Sequence, residues 1–167
     1  MKAELVEKIT RDFPSIKHST SGDFDVFEAD RQDYINLSAY LKNTPDLDFD
    51  HLSDLSGVDY IDYLEVVCHL YSYSLGHKLR LKTRVTREEP EVGTLVDVWA
   101  TANWHEREAW DLYGIVFEGH PNLKRILSDD DQRGHPYRKD VPLENDEDWM
   151  LRDRPLKDYG LPEEWDW

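Results

Sequence analysis

The sequence predicts an α+β fold: a small mixed or antiparallel sheet with a β-hairpin and flanking helices, followed by an extended, irregular C-terminal tail. Three observations carry this. Two β-branched and aromatic runs, 64–73 and 78–86, are joined by a short turn; helical spacing recurs near residues 2–12, 33–41 and 101–113; and regular patterning fades after Gly119. The chain therefore divides into an α+β domain over 1–118 and, over 119–167, loops and a tail.

The elements follow in order. Leu5, Val6 and Ile9 share one face of a short amphipathic helix that Pro14 ends. Phe24, Val26 and Ala29 alternate as a strand, and Tyr34, Leu37 and Leu41 mark a helix stopped at Asn43-Thr44-Pro45. Leu64–Tyr73 and Lys78–Thr86 form the hairpin across Ser74-Leu75-Gly76-His77. Its second strand is two-faced, with Lys78, Arg80, Lys82 and Arg84 opposite Leu79, Leu81, Thr83 and Val85. That basic stripe is either an interface or a solvated sheet face. Glu88–Gly93 reads as a loop and Leu95–Trp99 as a short strand. Thr101 or Asn103 then caps a helix with Glu106 and Glu108 near the positive end of its dipole and Gly114 as its left-handed terminator. Ile115-Val116-Phe117 is a brief strand.

Charge and cysteine usage exclude several functions. With 36 acidic and 20 basic residues, the net charge of −16 repels nucleic acid and anionic lipid. Eleven acids and two bases between Asp23 and Asp62 make a solvated acidic face or an electrostatic docking face. The single cysteine, Cys68, supplies neither an internal disulfide nor the four thiolates of an iron–sulfur cluster, and its place in an alternating run reads as a small buried hydrophobe. No apolar run reaches a membrane span and no signal or transit peptide is evident, so a soluble, cytoplasmic chain is expected, of a kind that can still dock on membrane complexes. Residues 144–167 hold nine acids, three bases and three of the six tryptophans, Trp149, Trp165 and Trp167. Such a segment buries too little to fold alone, and docking on a partner resolves the exposed indoles.

The densest chemistry lies in Glu106-Arg107-Glu108-Ala109-Trp110-Asp111. A zinc protease needs His-Glu-x-x-His, and His105-Glu106 is followed by no second histidine at 109. Glu108 and Asp111 share a helix face and have the spacing of an acid–base pair, but Arg107 and Asp111 have that of an i,i+4 ion pair, and structural duty is the reading taken. His120 and His135, in the turns Gly119-His120-Pro121 and Gly134-His135-Pro136, are read as turn residues rather than ligands. Arg133, Arg138, Lys139 and Asp140 form a donor-rich run suited to an interface.

These residues also carry a family pattern. Glu106-Arg107-Glu108, Asp111, Leu112-Tyr113, His120, Lys124 and Ile126-Leu127, with Arg125 beside them and Gly134-His135-Pro136-Tyr137-Arg138-Lys139-Asp140 downstream, closely resemble the 30 kDa-type subunit of respiratory-chain NADH dehydrogenase (complex I), the NuoC/NdhJ family. The resemblance runs from about Leu64 to Pro142.

It implies a scaffold subunit, without cofactor of its own, in the hydrophilic, quinone-module arm of a proton-translocating NADH:quinone oxidoreductase. FMN, iron–sulfur clusters and quinone would sit on partner subunits, among them the large 49 kDa-type quinone-site subunit (NuoD-like) and the small cluster-bearing subunit (NuoB-like). The complex would place the chain on the cytoplasmic side of the bacterial inner membrane. Glu106, Arg107, Glu108 and Asp111 would fix the signature helix, while Arg133, Arg138 and Lys139 anchor the extended segment on a partner. The alternative is a homologous subunit of a related membrane-bound complex, such as an energy-converting hydrogenase or a ferredoxin- or F420-dependent oxidoreductase.

Overall fold

Alternation in the central hairpin organises the molecule, and a computed structural model describes residues 2–130, 132 and 134–141. The elements are α1 (Ala3–Asp12), β1 (Lys17–Ser21), β2 (Phe24–Ala29), α2 (Arg31–Asn43), β3 (His51–Asp59), β4 (Tyr63–Ser72), β5 (His77–Thr86), β6 (Glu91–Gly93), α3 (Ala102–Tyr113) and β7 (Val116–Glu118). Five strands form one mixed sheet in the order β1-β2-β5-β4-β3, in which only the β2–β5 pair is parallel. β6 and β7 make a second, parallel pair. The α+β class expected from the sequence is the observed one.

One sheet face carries the core. The cross-strand pairs Leu64↔Val85, Val66↔Thr83, Cys68↔Leu81 and Leu70↔Leu79 put the apolar parity of β4 and β5 inward, where it meets Phe27, Leu55 and the α2 residues Tyr34, Leu37 and Leu41. Cys68 is fully buried, its sulfur 3.2 Å from the Tyr34 hydroxyl, and burial pushes its thiol up to about 12. α2 starts at Asp30, whose carboxylate accepts the N–H groups of Gln32 (3.1 Å) and Asp33 (2.9 Å). α3 packs closely on β3 because Gly57 leaves room: a Cβ there would lie 2.6 Å from the Tyr113 ring.

The opposite face holds the basic stripe, and its charges are used within the chain. Lys82 pairs with buried Glu65 at 2.6 Å, Arg84 with Glu28 at 3.1 Å and Lys78 with Asp23 at 3.1 Å, while Arg80 donates to His69 at 3.0 Å. Lys78 and Arg80 both lie over the Phe24 ring. Several acids of the 23–62 stretch are spent likewise, Asp25 on His18, Asp54 on His69 and Asp59 on Arg87.

Two strands appear that the sequence does not announce, and three local expectations change. β1 has no apolar residue to announce it and is exposed throughout, and β3 interrupts its alternation with serine, glycine and a register shift between Leu52 and Asp54. Residues 91–93 of the expected loop form β6 against β7. Leu95–Trp99 is turned rather than extended, because the Leu95 carbonyl accepts the N–H groups of Val98 (2.9 Å) and Trp99 (2.8 Å). Thr101 precedes α3 without capping it; its hydroxyl donates instead to the Leu52 carbonyl at 3.3 Å.

Candidate functional site: the signature clamp

Two carboxylates on α3 are fully buried and play different parts. Glu106, instead of facing the helix dipole, reaches back to the preceding turn, where it accepts the Thr94 hydroxyl at 2.5 Å and the Leu95 N–H at 2.6 Å. Burial pushes its carboxyl up to about 7, against the opposing pull of those two bonds.

Asp111 lies one and a half turns on. Its Oδ2 accepts three consecutive backbone N–H groups, from Ile126 (3.0 Å), Leu127 (2.8 Å) and Ser128 (2.9 Å), and its Oδ1 accepts Arg125 Nη1 at 2.7 Å. Burial alone would raise its pKa; these donors outweigh burial and hold the carboxyl well below the usual carboxylate range. Successive N–H groups converging on one oxygen form an anion-binding nest whose ligand is supplied by the chain itself.

The other signature groups extend this clamp. Arg107 is not the partner of Asp111: its Nε donates to the Lys124 carbonyl (3.0 Å) and its Nη2 to the Arg125 carbonyl (3.1 Å), while its guanidinium lies over exposed Trp104. Arg125 reaches past Asp111 to the carbonyls of Gln132 (2.8 Å) and Gly134 (3.0 Å). His120 Nε2 donates to the Asn103 carbonyl and Nδ1 accepts Asn122 N–H, both at 3.0 Å. His135 Nδ1 donates to the Asp111 carbonyl at 2.9 Å, and Tyr137 N–H to the Leu112 carbonyl at 3.0 Å. The described residues between 120 and 137 are thereby strapped to α3, and two orphan carbonyls at its C-terminal end gain donors.

Gly114 is required twice. Its φ of +76° is left-handed, and a Cβ would come within 2.5 Å of the His135 ring.

A second node ends the strap. Asp59, 4% exposed, takes both Arg87 nitrogens (2.7 and 3.0 Å) and the Lys139 N–H (2.8 Å). The Arg87 bonds foremost, opposed by burial, keep its carboxyl well below the usual range. Arg138 donates to the Arg87 carbonyl at 3.3 Å and lies 3.4 Å from Asp140, which also pairs with Arg87 at 2.9 Å. Of the predicted site residues, Glu106, Arg107, Asp111, His120, Arg125, His135, Arg138 and Asp140 thus join this network. Glu108 and the side chains of Lys124 and Lys139 are exposed, which separates Glu108 from buried Asp111 as an acid–base partner. Arg133, Trp149, Trp165 and Trp167 lie outside the described residues.

Sequence reasoning missed Asp59, Arg87 and Thr94. A signal for Asp59 existed, since it shares the inward parity of Leu55 and Gly57 in β3, where a charge demands a partner. Thr94 offered none.

Comparison with known proteins decides the family. The profile described as "Respiratory-chain NADH dehydrogenase, 30 Kd subunit" matches residues 27–147, well over half of the chain. The chain belongs to this 30 kDa subunit family. Within it, the C subunit of NADH-quinone oxidoreductase from Herpetosiphon aurantiacus is 38% identical over 166 residues, covering 93% of this chain and 96% of the relative. The corresponding C 2 subunit of Rhizobium meliloti is 48% identical over 120 residues, covering 70% of this chain and 65% of the relative, so this chain spans just under two thirds of that longer protein. Among solved structures, the trypsin-resistant fragment (1–134) of Nqo5 is 32% identical with a TM-score of 0.61, covering 74% of this chain and all of the fragment. A chain of the archaeal membrane-bound sulfane sulfur reductase shares the fold, with a TM-score of 0.72 at 24% identity over 98% of this chain and 94% of its own. Both signature carboxylates and the whole strap up to Val141 fall inside the family match.

Proposed function

We propose that the chain is a scaffold subunit in the quinone-module arm of a proton-translocating NADH:quinone oxidoreductase, in which electrons pass from NADH to quinone through neighbouring subunits. The clamp carries this reading. Asp111, Arg107, Arg125, His120 and His135 are all spent on backbone groups of the same chain, which suits a rigid, shaped surface rather than groups awaiting a substrate. The isolated chain turns over no substrate. FMN, iron–sulfur clusters and quinone belong to partner subunits, a division that the single, buried Cys68 supports.

The partners are the large 49 kDa-type quinone-site subunit and the small cluster-bearing subunit. Exposed Lys139, with Arg133 and the tryptophan-bearing tail, anchors the extended segment on them, and the chain meets the cytoplasmic side of the inner membrane through the complex. No helix among the described residues is long and apolar enough to cross a membrane.

The fold shared with a sulfane sulfur reductase chain supports a second reading, a homologous subunit in a membrane-bound complex with another electron-entry module. Pull-down of tagged chain from gently solubilised membranes, with co-purifying chains identified by mass, separates the two. The first reading expects the large and small arm subunits together with an NADH-binding flavin subunit. A hydrogenase or sulfur-reducing module in its place favours the second, and recovery of the chain alone contradicts both.

A further inference from the structure

Single exposed apolar side chains are ordinary on a protein surface, whereas a contiguous set marks a contact site. Three such side chains lie on the two segments that Asp59 joins. Ile61 is 62% and Tyr60 43% exposed in the turn between β3 and β4, and Tyr137, 60% exposed, stands edge-on to Tyr113 with ring centroids 5.8 Å apart. The buried Asp59 carboxylate joins the two segments: Oδ1 accepts the Ile61 N–H at 2.6 Å and Oδ2 the Lys139 N–H at 2.8 Å, two residues beyond Tyr137.

The turn itself is strained. Ile61 has a φ of +74°, a left-handed conformation that a β-branched residue adopts against steric resistance and that asparagine or glycine accepts readily. Neighbours hold it there. Tyr60 N–H donates to the Tyr63 carbonyl at 3.0 Å, the two rings stack at 4.9 Å, and Arg87 locks the Asp59 acceptor from two sides. Nothing in the turn requires an isoleucine, yet a strained one faces solvent next to the exposed Tyr60.

We infer that Tyr60, Ile61 and Tyr137 form the apolar centre of a docking surface for a partner-subunit face that is apolar in its middle and basic at its rim. Charge selects that partner. Asp62 follows the turn, Glu88 and Glu89 follow Arg87, and Asp140 follows the strap, all four on the surface. The nearby cations Arg87 and Arg138 are only 15% and 18% exposed and already paired, so among the described residues the rim is acidic with Lys139 as an exposed base. The surface is composite, assembled from segments 80 residues apart in sequence once Asp59 clamps the strap. It rests on the reading of this chain as an assembly subunit.

The test uses full-length tagged chain expressed in cells lacking the native copy, with the large and small arm subunits quantified after capture from solubilised membranes. Ile61→Asn is expected to leave the Tm of the isolated chain unchanged or raise it by about 2–4 °C, because strain is relieved. Its capture of the arm subunits is expected to fall at least tenfold. Glu88→Lys combined with Glu89→Lys is expected to lower capture as well, most strongly at low salt. Undiminished capture by Ile61→Asn overturns the docking surface, a lowered Tm overturns the strain argument beneath it, and unchanged or increased capture by the lysine pair overturns the basic-rimmed partner. Failure of the folded wild-type chain to capture either of the two arm subunits overturns the scaffold reading, and this inference with it.

Discussion

Glu106 and Asp111 lie on one helix, both fully buried, and their carboxyl groups are driven to opposite ends of the carboxylate range. The difference is the donor set. Three amides and a guanidinium favour ionised Asp111; one hydroxyl and one amide, with no cation, leave burial dominant at Glu106. The linkage signs are opposite. Asp111 contributes stability above the ordinary value of 3.8, and it is lost as pH falls through the lower folded value. Protonated Glu106 contributes stability that is fully present below 4.5 and lost as pH rises through about 7. The slope of Tm against pH between those limits should therefore contain a falling component that Glu106→Gln removes; identical slopes in the two proteins would refute it. These environments are only partly legible in the sequence. The spacing of Arg107 and Asp111 suggests an ion pair, whereas their actual partners include backbone amides and carbonyls, which carry no side-chain signal.

At the scale of elements, legibility follows the hydrophobic pattern. β5 alternates because it has one buried face, β4 reads as a near-continuous apolar run because it is buried on both faces from Leu64 to Cys68, and α3 announces its end with Gly114. β1 has no buried residue, and β3 spends inward positions on Gly57 and Asp59, so neither shows the alternation of a strand. The strap has no periodicity at all, being held by clamps rather than by a ladder. Gly114 ends α3 and leaves the space in which the strap's His135 ring sits. Gly114→Ala would meet both the left-handed φ and the His135 ring, and should destabilise the chain by about 1–3 kcal/mol. Urea unfolding measures that cost. Hydrogen exchange localises it, with Tyr137 N–H exchanging faster while β4 and β5 amides stay protected; unchanged exchange at Tyr137 would deny that Gly114 seats the strap.

For the whole molecule, the proposed scaffold is one whose signature residues shape the chain and leave electron transfer to its neighbours. The sheet, helices and clamps bring the β3–β4 turn and the strap together at Asp59, and the proposed docking surface depends on that arrangement. The central claim is that Asp111 supports structure and takes no part in turnover. Replacing it with alanine takes from Arg125 its carboxylate partner and leaves three amides without their acceptor, at a cost of about 3–5 kcal/mol. The most direct measurement is NADH:quinone reductase turnover per assembled complex carrying Asp111→Ala, with the amount of complex quantified separately. Reduced assembly with wild-type turnover in each complex that forms is the predicted result. Wild-type assembly with reduced turnover per complex would contradict it.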